Sequence, residues 1–229
     1  MNQVATFLGK RLIGRIVDQE APRKALIRFL YYTEEFVERF DIEPILPHLS
    51  EKEQKALLLH FHDEKAHARA MRTFCEDNEI AIERSAAEEA LIRRSDEGYA
   101  QYLRHLDVST NRFTPEEMYA YYTHVSLQEN LATNAYLLIA TELQRIGQYP
   151  KFVKMLRAFA RSEQKHEEYA DVFMADYERV LGSKRCRNIK RKLRWESVRS
   201  GLLFGYDFLR LLQKEHQFNP GILAFALKR

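Results

Sequence analysis

The sequence predicts an all-α protein built around a four-helix bundle, and three observations carry that prediction. Glycine and proline are scarce, 8 and 6 in 229 residues, so little interrupts long helices. Two capping boxes, Ser50 with Glu53 and Thr114 with Glu117, each precede a long run with apolar residues at helical spacing. The spacing Glu-x-x-His occurs at Glu64–His67 and Glu163–His166, each time inside such a run. Residues three apart share a helix face, so each pair aims one carboxylate and one imidazole at a common point.

Taken in order, residues 1–20 read as a basic, weakly amphipathic segment with Leu8, Leu12, Ile13 and Ile16 on one stripe. Pro22 suits the first turn of the next helix. That first bundle helix runs from about Arg23 to Phe40, with Ile27, Leu30, Tyr31 and Val37 on one face, and Asp41 and Pro44 end it. The second opens at Ser50, and its stripe is Leu57, His60 or Phe61, Glu64, His67, Met71 and Phe74. Residues 77–113 form a long connection with a charged helix from about Ala86 to His105, which marks a crossover topology between the two helix pairs. The third bundle helix starts at Thr114 and reaches about Ile146, with Met118, Tyr122, Val125, Glu129, Ala132, Tyr136 and Ile139 inward. Gly147 and Pro150 break the chain. The fourth helix runs to about Leu181, with Phe152, Leu156, Phe159, Glu163, His166, Ala170, Phe173 and Tyr177 inward. A C-terminal extension over 183–229 adds a basic helix, an apolar helix near 201–216 and a tail after Pro220. The whole is one domain, with its bundle core at about 23–181.

Composition narrows the class. Hydrophobic residues make up 45% and charged residues 30%, which suits a soluble folded domain and not a disordered one. No leader-like apolar run opens the chain and no stretch is apolar enough to span a bilayer. Cys75 and Cys186, far apart in sequence, read as reduced thiols of a cytoplasmic protein. Lys184, Arg185, Arg187, Lys190, Arg191, Lys192 and Arg194 crowd into one short run, and the net charge falls from +3 to −4 without those seven. The run reads as a solvated helix face or as a dock for an acidic carrier protein. Nucleic acid or an anionic membrane is the least favoured partner, because no recognised binding fold accompanies the charge.

The two Glu-x-x-His pairs each follow a helix with one inward glutamate. Glu34 precedes Glu64 by 30 residues and Glu129 precedes Glu163 by 34, about one helix, a turn and a return. Antiparallel neighbours would thus present these groups at equal depth. On the first helix Glu34 shares its face with Ile27, Leu30 and Val37, whereas Glu35 and Glu38 lie toward the polar side. The expected metal ligands, which are also the catalytic set, are Glu34, Glu64, His67, Glu129, Glu163 and His166. Two adjacent ferrous ions need anionic oxygen ligands for charge balance, carboxylates to bridge them and an imidazole each. Glu64 and Glu163 suit bridging, and Glu34 and Glu129 terminal positions. Oxygen and imidazole ligands suit iron or manganese, so the expected cofactor is a pair of Fe ions, or a mixed Mn/Fe pair. Four unpaired carboxylates inside an apolar bundle would otherwise be costly. The plainer reading, two surface Glu–His contacts, leaves their mid-stripe position unexplained. His60 reads as a packed or exposed histidine near the site, and His48, His62, His105, His124 and His216 as ordinary ones. Tyr122, Tyr136 and Tyr177 read as core aromatics first, and as hydrogen-bond partners or radical sites second.

The segments DEKAH (63–67) and SEQKH (162–166) resemble the paired motifs of the ferritin-like di-iron carboxylate superfamily. Within it, TEE (33–35), QENLAT (128–133) and RSEQKHEEYADVF (161–173) look most like the soluble acyl-carrier-protein desaturases. The likeness covers about residues 25–180 and also selects Glu34 over Glu35. Ala132 stands where that family has a threonine, with Thr133 one place later, and Ser162 where it has an acid. The resemblance implies an O₂-activating di-iron oxidase, hydroxylase or desaturase, with O₂ as co-substrate, an electron donor, and an apolar or acyl substrate. It also implies a homodimer. The alternative is an iron-handling or peroxide-scavenging protein of ferritin or rubrerythrin type, although the chain has no Cys-x-x-Cys. A metal-free helical interaction module would require all six ligand matches to be accidental.

Overall fold

The computed structural model describes residues 3–38, 41–93, 106 and 113–219. It is all-helical. In chain order the helices are α1 (Gln3–Asp18), α2 (Glu20–Glu38), α3 (Glu51–Asp77), a helical stretch over 86–93 (α4), α5 (Pro115–Arg145), α6 (Pro150–Leu181) and α7 (Ser183–Glu215). A short 3₁₀ turn, Leu46–His48, lies before α3. No helix among the described residues is long and apolar enough to cross a membrane.

Both expected capping boxes form. The Ser50 hydroxyl accepts from the Glu53 N–H while the Glu53 carboxylate accepts from the Ser50 N–H, and Thr114 and Glu117 repeat the arrangement. Each box satisfies N–H groups that a helix start leaves unpaired, which is why α3 and α5 begin where the sequence says. Gly182, at φ +79, turns the chain from α6 into α7 in a conformation that favours glycine.

Two expectations need correction. α2 starts three residues before Arg23, with Pro22 still in its first turn, where a missing N–H costs little. The C-terminal extension is one continuous helix and not two. Gly201 and Gly205 lie inside α7 without positive φ, and no proline or capping residue interrupts it. The expectations for Phe40, for a helix as far as His105, for the side chains of Leu8 and Val37, and for the tail after Pro220 fall outside the described residues.

Helices α5 and α6 form the most extensive pair, α2 and α3 the next, and α3 also meets α6; α7 lies on α5 and α6. The core has two apolar parts. One gathers Ile27 and Leu30 from α2, Met71 and Phe74 from α3, Tyr136 and Ile139 from α5, and Phe152 and Leu156 from α6. The other gathers Leu57 and Phe61, Met118 and Tyr122, and Ala170 and Phe173 from the opposite halves of α3, α5 and α6. Burying each large side chain is worth about 2 kcal/mol, so both layers hold the helices firmly. In sequence, Glu64, His67, Glu129, Glu163 and His166 all fall between the segments that feed the two layers. Cys75 and Cys186 are buried free thiols.

Candidate metal centre

The layer between the two apolar parts contains the buried residues Glu34 of α2, Glu64 and His67 of α3, Glu129 of α5, and Glu163 and His166 of α6. These are the six expected ligands. Their atoms fall into two groups. Glu34, Glu64, His67 and Glu163 offer donor atoms all within 4.8 Å of one another, and so do His60, Glu64, Glu129 and His166.

The carboxylates of Glu64 and Glu163 each face both ways. Glu163 puts Oε1 3.1 Å from His67 Nδ1 and Oε2 2.9 Å from His166 Nδ1. Glu64 puts Oε2 3.6 Å from His67 Nδ1 and Oε1 3.5 Å from His166 Nδ1. One oxygen per side is the geometry a bridging carboxylate needs. Glu34 Oε2 lies 3.6 Å from His67 Nδ1, within the first group. Glu35, one residue on, points elsewhere: it accepts from Tyr31 Oη at 2.6 Å and pairs with Arg72 and Arg84.

Two residues near the centre were not among the expected ligands. His60 is not a bystander: its Nε2 lies 3.1 Å from Glu64 Oε1 and 3.2 Å from Glu129 Oε1, and its ring stacks on His166 at 4.1 Å. Its place four residues before Glu64, on the same stripe, was the available signal. Asp63 places Oδ2 3.3 Å from His166 Nε2, the nitrogen that faces away from the cluster. A carboxylate on the outer nitrogen orients a ligating imidazole and strengthens it as a donor. Its position, adjacent to Glu64 and half-exposed, gives no periodic signal. Thr133 donates to the carbonyl of Ala160 at 3.4 Å, tying α5 to α6.

The cluster is electrostatically incomplete. Among the described residues, the ion pairs of Glu34, Glu64, Glu129 and Glu163 are all with histidine. Burial favours the neutral form of every group. It raises the Glu34 carboxyl well above the usual range, helped by the Glu64 charge. Burial also lifts Glu129 to about 7, against the pull of His60. At the histidines burial pulls the other way and the carboxylates win. His67 is pushed up to about 12 by Glu163, Glu34 and Glu64, and His166 to about 9 by Glu163 and Glu64. His60 rises well above its ordinary value through Glu129 and Glu64. Burial pushes Glu64 up, yet the neighbouring imidazoles of His166, His60 and His67 hold it well below the carboxylate range. Protons on imidazole thus stand where cations would otherwise be needed.

The residues fit a pair of divalent metals. Four carboxylates balance two divalent charges, and oxygen with imidazole suits iron or manganese. Three buried donor atoms, Glu34 Oε2, His67 Nδ1 and Glu163 Oε1, make no hydrogen bond and all lie in the first group. They face one another, His67 Nδ1 lying 3.1 Å from Glu163 Oε1 and 3.6 Å from Glu34 Oε2, so one cation among them could meet all three.

A cleft of about 30 Å³ reaches the second group, lined by His60 and His166 with Leu57, Tyr121, Tyr122 and Phe173 around it. That is room for about two waters or a diatomic molecule. Tyr122 and Tyr177 donate to the same oxygen of the buried Glu53, at 3.2 and 2.7 Å, while Tyr136 packs edge-on against Phe159.

No family model, no curated protein and no solved structure matches this chain.

Proposed function

We propose that the chain is an O₂-activating non-haem di-iron oxidoreductase of ferritin-like architecture. The observation that supports it best is the paired orientation of Glu64 and Glu163, each with one oxygen toward His67 and one toward His166. Glu34 and His67 would complete one metal site, and Glu129, His166 and His60 the other. A ferrous pair held there would supply the electrons that reduce O₂ and so permit attack on an unactivated bond. The chain's own residues do the rest. Asp63 orients His166, the two apolar layers exclude water, and Tyr121, Tyr122 and Phe173 give the approach to His60 an aromatic wall. The reaction is an oxidation, hydroxylation or desaturation of an apolar substrate, with an external electron donor.

The small size of the cleft favours one second reading, iron handling of the ferritin type. One experiment separates the two. Anaerobic protein is given increasing ferrous iron, then O₂, and bound iron is measured. About two irons per chain, with no further uptake, is the result expected of the oxidoreductase. Continued oxidation and retention of iron beyond that ratio would establish iron handling, and less than one iron per folded chain would overturn both.

A further inference from the structure

Helix α7 has two apolar faces, and only one of them is covered. Cys186 near one end joins one core layer and Phe208, Leu211 and Leu212 near the other end join the other, so both ends are anchored, and Leu193 is buried as well. Between Arg194 and Leu203 the helix is exposed on nearly every side, and only Ser197 is partly covered. Trp195, Val198 and Leu202 nonetheless stand at i, i+3 and i+7, a single helical stripe. They are 70%, 55% and 70% exposed, and Leu203 beside them is 58% exposed.

The charge around this stripe identifies what covers it. Arg191 lies one turn before Trp195, Arg194 one turn before Val198, and Arg199 one turn after Trp195. Arg187, Arg191, Lys192, Arg194 and Arg199 are all exposed, and the single acid within 184–203 is Glu196. A second copy of this chain would bring the same positive charges face to face. An acidic carrier protein would answer the charge but leave a tryptophan and two leucines without a counterpart. An exposed apolar stripe with tryptophan, flanked by Lys and Arg, matches a bilayer interface with anionic headgroups.

We infer that the middle of α7 is a peripheral docking surface for anionic lipid, with Trp195, Val198 and Leu202 entering the headgroup boundary and the flanking arginines meeting lipid phosphates. α7 lies on the surface and does not span it, because its ends are held in the protein core and no described helix is apolar enough to cross. The inference is independent of the metal centre, since it uses no residue of that layer.

The chain carries a single tryptophan, Trp195 itself, which makes the test direct. Tryptophan emission of the full-length protein is followed while vesicles are added, either phosphatidylcholine alone or phosphatidylcholine mixed with phosphatidylglycerol. Emission should shift to the blue with the anionic vesicles and much less with the neutral ones, and salt should weaken the effect. Leu202→Ser should weaken vesicle binding about tenfold, as one buried leucine is worth about that. The triple variant Arg187→Gln, Arg191→Gln, Arg194→Gln should weaken it about a hundredfold, at about fivefold per charge. All four positions are exposed except in the proposed complex, and circular dichroism of each variant checks the fold. No shift with anionic vesicles overturns the inference. So does a blue shift produced by raising protein concentration alone, which assigns the face to a second copy. A shift with an acidic carrier protein but not with vesicles overturns it in favour of a protein partner.

Discussion

Two buried polar clusters in this protein are made from similar residues and have opposite character. The first is the layer of Glu34, Glu64, Glu129, Glu163, His60, His67 and His166. The second joins Arg28 of α2, Glu88 of α4 and His216 just past α7. In the second, Glu88 pairs with Arg28, accepts from the Ser85 N–H at 2.9 Å and lies 3.6 Å from His216. A fixed cation and a helix cap satisfy it. Burial raises the Glu88 carboxyl, but His216, Ser85 and Arg28 bring it down to about 2. The first cluster has only imidazole to offset four carboxylates, and it leaves three buried atoms without a hydrogen bond, against one, Arg28 Nε, in the second. A charge-balanced cluster staples helices together. One balanced only by imidazole leaves donor atoms that a bound cation would satisfy, which is the reading proposed above for the first.

The comparison can be broken most forcefully by removing one member of each cluster. Glu163→Ala should abolish binding of both metals, because Glu163 reaches both groups, and elemental analysis after iron loading reads this. Arg28→Ala should leave metal content unchanged but take from Glu88 its fixed cation, leaving it His216 and the Ser85 N–H. Losing that charged hydrogen bond costs about 2 kcal/mol, or roughly 6 °C in Tm by calorimetry. Equal metal loss in the two variants would show that the clusters do not differ in kind.

A single substitution applied to both clusters sharpens the contrast. Burial and the Glu64 charge push Glu34 toward its neutral form, so Glu34→Gln, an isosteric neutral group, should leave the metal-free protein as stable or slightly more so. Glu88→Gln replaces a charged partner of Arg28 and should cost about 2 kcal/mol. The sign with pH follows. Because the folded pKa of Glu88 lies below its unfolded value, its contribution is present above about pH 4.3 and is lost as pH falls toward 2. Denaturant midpoints of parent and Glu88→Gln should converge across that window. A constant gap between them would remove Glu88 as the cause.

His60→Ala probes the smallest difference. His60 touches the second group only, so this change should weaken one metal by about tenfold to a hundredfold and spare the other. Stepwise metal titration would show one weakened site beside one of parental affinity. Two unaltered sites would return His60 to the role of a packed neighbour.

How much of this was legible beforehand differs by residue. Glu64 and His67 announce themselves, because a three-residue spacing on a helix has one geometric meaning, and Glu163 and His166 repeat it. The starts of α3 and α5 were equally readable, since capping is local chemistry between residues three apart. Glu34 over Glu35 needed only the apolar stripe on α2. His60 was visible but undecided: its place before Glu64 allows it to enter the cluster or pack beside it, and only the approach of Glu129 from α5 makes the choice. Asp63 and His216 carried no local signal at all. Asp63 acquires its role from the ring of His166 on another helix, and His216 from a glutamate more than a hundred residues away. The continuity of α7 was likewise beyond the local pattern. Its basic and apolar halves read as separate helices, and the two ends become one element because each finds a different core layer to rest on. Local periodicity determines which face of a helix is apolar and which polar groups share it. Which neighbour then meets that face, and what charge it brings, depends on contacts between distant segments, and those exist only in the folded chain.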